Sequence, residues 1–214
     1  MTDILPWLLA VPAAYLVGSI PVGVIAGRIF SGVDVRSYGS GSTGATNVAR
    51  TAGTRVGLLV LALDIGKGIL AVGLVRIVAD STIAESLAAV FVVAGHNWPV
   101  FTRFQGGKGV SAGLGALGML SPYAALTTII GPLVTVTTKY VSLGSMLATL
   151  ASSTLLIVQV TLLDYADEGY LIFAFGGFVL IIWQHRANIV RLARGEEHRF
   201  GTRVEAKGAV AGER

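Results

Sequence analysis

The segment VGLLVLALDIGKGILAVGLVRIVA, residues 56–79, decides the fold. It exceeds the roughly 20 apolar residues that a membrane-spanning helix needs, and its only charged side chains are Asp64, Lys67 and Arg76. Asp64 and Lys67 stand three residues apart, so they share a helix face and can pair, which lowers the cost of burying both. Further apolar runs at about 4–27, 82–100, 141–162 and 170–183 repeat the pattern, and a weaker region at 109–138 breaks at Ser121-Pro122 into two short pieces.

Composition agrees. Only 13% of the 214 residues are charged and 53% are hydrophobic, with a mean hydropathy of +0.73, whereas a soluble domain averages roughly a quarter charged residues. The absence of cysteine excludes disulfides, thiolate metal sites and cysteine nucleophiles. The first apolar run opens at Asp3 without a basic flank and reads as a retained helix, not a cleaved signal.

Alternating the runs across a bilayer sends 28–55, 101–108, the Lys139-Tyr140 turn and the chain from about 184 to one side. Every Lys and Arg except Lys67 and Arg76 falls there, while Asp3, Asp80, Glu85, Asp164, Asp167 and Glu168 fall opposite. By the positive-inside rule the basic side is cytoplasmic, the N-terminus outside and the C-terminus inside.

Three polar islands share that basic side. The first is GSGSTGATN, 39–47, with Arg50 one turn on. Glycines let backbone N–H groups turn inward, and Ser40, Ser42, Thr43, Thr46 and Asn47 add short donors, a cluster suited to a multivalent oxyanion such as phosphate. The second, GHNWPVFTRFQGGKG at 95–109, places Lys108 among glycines just before a short helix, where the ammonium and the first amides favour an anion. The third, HRANIVRLARGEE at 185–197, sets His185, Asn188 and Arg191 at three-residue spacing on one helix face. Loops distant in sequence that share a face build a composite site.

Familiar alternatives fail. GSGSTG matches the dinucleotide glycine pattern, but no strand precedes it and Asp64, about 20 residues on, lies inside an apolar run. Gly66-Lys67 and Gly107-Lys108 lack the rest of a phosphate-binding P-loop, and no serine nucleophile elbow occurs. The three histidines are too scattered for a metal site, and His198 reads as a surface residue of the tail. Gly113, Gly115 and Gly118 read as helix-packing positions, and Trp7, Trp98 and Trp183 as interfacial anchors at segment ends. A transporter of a phosphorylated solute would also want a cationic pocket, but at the midplane and with internal repeats, which the chain does not show.

Taken together, GSGSTGATNVAR at 39–50, LDIGKG at 63–68, the 95–109 island, YVSLGS at 140–145 and the 185–197 island resemble the bacterial acyl-phosphate-dependent glycerol-3-phosphate acyltransferases, the PlsY family. The resemblance runs from about residue 15 to 197; one departure is Ser42, where relatives more often carry asparagine. It implies an all-α integral membrane protein of about seven transmembrane helices, two of them short. It further implies one membrane-embedded acyltransferase domain over 1–200 in the bacterial inner membrane, with 201–214 expected to be a disordered cytoplasmic tail. The His-x4-Asp pattern of the better-known glycerolipid acyltransferases is missing: five residues beyond His96, His185 and His198 stand Phe101, Val190 and Arg203.

The implied reaction moves a fatty acyl group from acyl phosphate to the sn-1 hydroxyl of glycerol 3-phosphate. The products are lysophosphatidate and inorganic phosphate. Carried over by motif, Ser40, Arg50, Lys108 and His185 are the expected catalytic residues. Gly41, Thr46, Asn47, Gly106, Gly107, Ser145 and Asn188 are the expected substrate contacts, and Glu197 matches a glutamate regarded as structural. No metal or organic cofactor is implied; the partners are the two substrates and membrane lipid, not nucleic acid, and the working unit is a monomer. Because phosphate leaves readily, positioning and electrostatic stabilisation suffice and no acyl-enzyme is needed. The glycerol proton can go to His185 or to the substrate's own phosphate, and either substrate phosphate fits the 39–47 loop.

Overall fold

A computed structural model describes residues 4–201, and the elements that organise them are helical. They are α1 (Ile4–Ser19), α2 (Val22–Ser31), α3 (Ala45–Ala52), α4 (Thr54–Ala79), α5 (Thr82–Asn97) and α6 (Val110–Leu120). There follow α7 (Pro122–Leu126), α8 (Ile130–Thr138), α9 (Val141–Thr161), α10 (Leu171–Gln184) and α11 (Arg186–Ala193). The expectation for the tail from 202 to 214 lies outside the described residues.

Three stretches, Val11–Ser31, α4 and α9, are long and apolar enough to cross a membrane, and α10 with α11 passes the same test as one element bent by 55°. By length and apolarity alone three stretches qualify as crossings, or four with the bent pair; the α5 to α8 helices are individually shorter.

α5 occupies the middle of the bundle. Ala84, Ala88, Ala89, Val92 and Val93 are all fully buried, and its neighbours approach closely because glycines face backbone. A Cβ on Gly18 of α1 would strike the Val92 carbonyl, one on Gly95 the Tyr15 carbonyl, and one on Gly115 of α6 the Ile65 carbonyl of α4. Without water to drive apolar surfaces together, such small-residue contacts are what hold membrane helices side by side. Gly113 likewise abuts Ile181. Gly118 does not fit this pattern: a Cβ there would meet open space. The outward faces carry Ile77, Leu126, Val136 and Val179, each at least 60% exposed, as hydrocarbon contact demands.

The break at Ser121-Pro122 is built as its residues dictate. Ser121 Oγ accepts the Ala124 N–H at 3.1 Å and donates to Gln159 Oε1 at 2.7 Å, and Pro122 opens α7 where its missing N–H costs nothing. A second break, between α1 and α2, falls inside the apolar run read as one segment over 4–27. Pro21 cannot donate to the α1 ladder. At this break the Gly18 and Ile20 carbonyls accept hydrogen bonds from Lys67 Nζ at 3.2 and 3.0 Å.

Contacts sort the loops into two groups, one at each end of the bundle. Arg76 pairs with Glu85 at 2.6 Å, and Thr82 donates to Asp167 at one end. At the other, Thr43 N donates to the Gly106 carbonyl, Gln184 to the Asn97 carbonyl, Arg50 to the His198 carbonyl, and Phe200 N to the Lys139 carbonyl. This is the grouping that alternation of the apolar runs gives.

Candidate active site

The first wall of the site is the 38–50 loop with α3. Gly39 and Gly41 take φ of 51° and 75°, a left-handed turn that a side chain would strain. Asn47, 2% exposed, holds that turn: its Nδ2 lies within donor range of the Val35, Tyr38 and Ser42 carbonyls at 2.9, 3.2 and 2.9 Å, and its Oδ1 accepts the Ser40 N–H at 3.2 Å. Sequence reasoning lists Asn47 among substrate contacts; in the structure its amide is consumed by the loop, because a glycine turn without regular hydrogen bonds needs an internal partner. Ser40 Oγ accepts the Ser42 N–H, Ser42 Oγ accepts the Gly44 N–H, and the Thr46 hydroxyl is half-buried with no side-chain partner among the described residues. Thr46 and Arg50 lie one turn apart on α3.

The second wall is Gly106-Gly107-Lys108-Gly109, which closes onto the end of α5. Gly107 N donates to the His96 carbonyl at 2.9 Å, and Cβ atoms at 106 or 107 would strike α5 atoms, including the His96 ring at 107. Gly109, at φ 79°, then starts α6. The third wall begins where α10 ends. His185, 1% exposed, places Nδ1 2.8 Å from the Ile181 carbonyl. A carbonyl only accepts, so Nδ1 carries the proton and Nε2 is left as a lone-pair acceptor. Asn188 donates to Glu197 Oε1 at 2.8 Å, and Arg191 pairs with Glu197 Oε2 at 3.0 Å.

Glu197 thereby pins a strap, residues 194–200, across the site. The His198 carbonyl accepts from Arg50 at 3.4 Å, and Phe200 N reaches Lys139 at 2.7 Å. His198 is thus half-buried on a strap held by its backbone, not part of a free tail. Burial lowers its pKa, and so do the charges of Arg50, Arg191 and Lys108. The missed signal was its position next to Glu197, which cannot be bound without placing its neighbour.

Electrostatics identify the centre. Burial pushes the Lys108 ammonium down to about 8, with Glu197 opposing and Arg191 and Arg50 adding to the effect. Burial also lowers Arg50 and pushes His185 down to about 4, helped by Lys108. Neither Lys108 nor Arg50 forms an ion pair among the described residues, and Arg50 Nε is buried with no hydrogen-bond partner. Two unneutralised cations held together against repulsion form a receptor for an anion. Ser145, half-buried near the start of α9, makes no side-chain hydrogen bond to this cluster among the described residues. No group of three or more metal-ligating side chains occurs among the described residues.

Glycine-packed helices, a leucine- and isoleucine-rich exterior and a cationic site at one end define a multi-pass membrane protein built to handle an anion. The family model described as glycerol-3-phosphate acyltransferase matches residues 8–195. Glycerol-3-phosphate acyltransferase 2 of Moorella thermoacetica is 42% identical over 198 residues, covering 92% of this chain and 99% of that protein. The Myxococcus xanthus glycerol-3-phosphate acyltransferase is 43% identical over 188 residues, covering 87% and 95%. Crystal structures of PlsY, an integral membrane glycerol 3-phosphate acyltransferase, superpose with TM-scores of 0.83 (glycerol 3-phosphate form) and 0.81 (lysophosphatidic acid form). They are 39% and 38% identical and each covers 92% of this chain and 96% of the other. The chain belongs to the glycerol-3-phosphate acyltransferase family and is an acyltransferase.

Proposed function

We propose that the protein transfers a fatty acyl group from acyl phosphate to the sn-1 hydroxyl of glycerol 3-phosphate, by direct attack and without an acyl-enzyme. The site would face the cytoplasm of a bacterial inner membrane, in a monomer of about seven transmembrane helices. The observation that carries the reading is the pair of unneutralised cations, Lys108 and Arg50, beside the neutral acceptor Nε2 of His185. Both substrates bear phosphate, and the products are lysophosphatidate and inorganic phosphate, so two cations beside the glycine loops match what must be held.

His185 Nε2 would accept the hydrogen bond of the glycerol hydroxyl and aim its oxygen at the acyl carbonyl. As a base it is weak: burial pushes it down to about 4, whereas the dianion of a phosphate monoester takes up a proton at about 6. The proton therefore goes more readily to a substrate phosphate, and His185 orients. Lys108 and Arg50 would bind the phosphates and the charge that develops on the carbonyl oxygen. Among the described residues no serine or threonine hydroxyl hydrogen-bonds a histidine, so no activated hydroxyl nucleophile competes with the substrate alcohol. Ser40, Gly41, Thr46, Gly106 and Gly107 would line the phosphate sites, with Ser145 toward the α9 side, while Asn47 and Asn188 act by holding the loop and the strap.

The test is to incubate purified protein with acyl phosphate and glycerol 3-phosphate and measure phosphate release. Release that requires glycerol 3-phosphate is expected; its absence would overturn the assignment.

A further inference from the structure

We propose that Asp64, Lys67 and His96 form a buried positioning unit that sets the Gly106–Lys108 loop against the 39–50 loop and thereby sets the site's affinity for phosphate. This rests on the reading of that site as a phosphate site. All three side chains are buried, at 1%, 7% and 6% exposure. Lys67 Nζ lies 2.8 Å from Asp64 Oδ1 and 3.4 Å from His96 Nδ1, and His96 Nδ1 lies 3.6 Å from the same carboxylate oxygen. Where an ammonium, which only donates, faces Nδ1, that nitrogen accepts and the ring proton sits on Nε2.

From there the unit reaches both walls. The His96 ring lies where a side chain on Gly107 would be, and the His96 carbonyl accepts the Gly107 N–H, so one residue fixes Gly107 from two directions. Gly106 in turn accepts from Thr43 N. Lys67 also binds the Gly18 and Ile20 carbonyls at the α1–α2 break, and just beyond that break Gly23 packs on the Thr43 carbonyl. Thr43 is therefore placed from two sides by groups that meet at one ammonium. A buried ion pair contributes little to stability compared with apolar side chains of the same size, and its best-attested use is to specify an arrangement.

A double-mutant cycle between His96→Ala and Gly107→Ala tests this, reading the KM for glycerol 3-phosphate, kcat and the thermal midpoint in detergent. Gly107→Ala is expected to raise KM about tenfold, the scale of coupling between residues in contact. His96→Ala is expected to raise KM several-fold, and the double variant to resemble His96→Ala alone because the new methyl group then has room. If the two KM effects multiply, or if kcat and midpoint fall with KM unchanged, the unit is only structural and the inference is overturned. Should His96→Ala fail to fold, His96→Asn keeps an acceptor for Lys67. A retained midpoint with raised KM supports the proposal, and an unchanged KM overturns it. Wild-type protein that releases no phosphate in response to glycerol 3-phosphate overturns the functional reading itself; active wild type with multiplicative variants overturns only this inference.

Discussion

Replacing Lys108 with methionine is expected to raise stability and abolish activity together. Burial, with the charges of Arg191 and Arg50 beside it, brings the ammonium's pKa from 10.5 down to about 8. Each unit of such a shift is about 1.4 kcal/mol, so protonated Lys108 costs the folded state on the order of 3 kcal/mol at neutral pH. Methionine has nearly the same length and carries no charge, so it recovers part of that cost, roughly 1–3 kcal/mol. In a chain of this size that is a rise of roughly 3–9 °C in thermal midpoint. The sign follows from the two pKa values. Below about 8 both folded and unfolded chains carry the proton and the full cost applies. Between about 8 and 10.5 the unfolded chain binds more protons, so wild-type stability climbs with pH and the advantage of the variant shrinks. Thermal unfolding in detergent at pH 7 and pH 10 reads both features. Inorganic phosphate should raise the midpoint of wild type and leave the variant unmoved. A variant less stable than wild type at pH 7, or one that retains full turnover, would refute the reasoning.

Three further outcomes follow from the same geometry. In the pH profile of kcat/KM, activity should fall as pH rises through about 8, where Lys108 loses its proton, with no inflection from His185 between about pH 6 and 8; a profile flat to pH 10 would count against the Lys108 ammonium. Asn47→Ala frees three loop carbonyls and the Ser40 N–H. It should cost about 2–4 kcal/mol by thermal unfolding and raise KM more than it lowers kcat. Gly115→Ala drives a methyl group into the Ile65 carbonyl, so it should destabilise by about 1–3 kcal/mol while leaving KM of the folded fraction unchanged; Gly118→Ala, facing open space, should be neutral.

Local chemistry made parts of this molecule readable in advance. Ser121-Pro122 announces a helix start because serine caps and proline tolerates the first turn, and the chain breaks there. Asp64 and Lys67 announce a pair because three residues place them on one face, and they meet at 2.8 Å. The α1–α2 break was hidden by unbroken apolarity around Pro21, since its compensation comes from Lys67, on another helix. His96 joins the Asp64–Lys67 pair from 29 positions away, which no periodicity can announce. The three islands were legible as cationic and glycine-rich, but their internal division of labour was not. Asn47 looks like any short donor until its partners show that its amide is already used.

The strap over 194–200 gives the chain a temporal logic. Lys108 and Arg50 both precede Glu197 in the chain, and Glu197 is the carboxylate whose charge opposes their desolvation. Until it arrives, Asn188 and Arg191 have no Glu197 to grip and Arg50 has no His198 carbonyl to hold. Without the strap, the Thr43–Gly106 hydrogen bond would still bring the two cationic loops together, but no carboxylate would offset their repulsion. Assembly of this end of the site therefore waits on residue 197, whatever the order in which the other walls form.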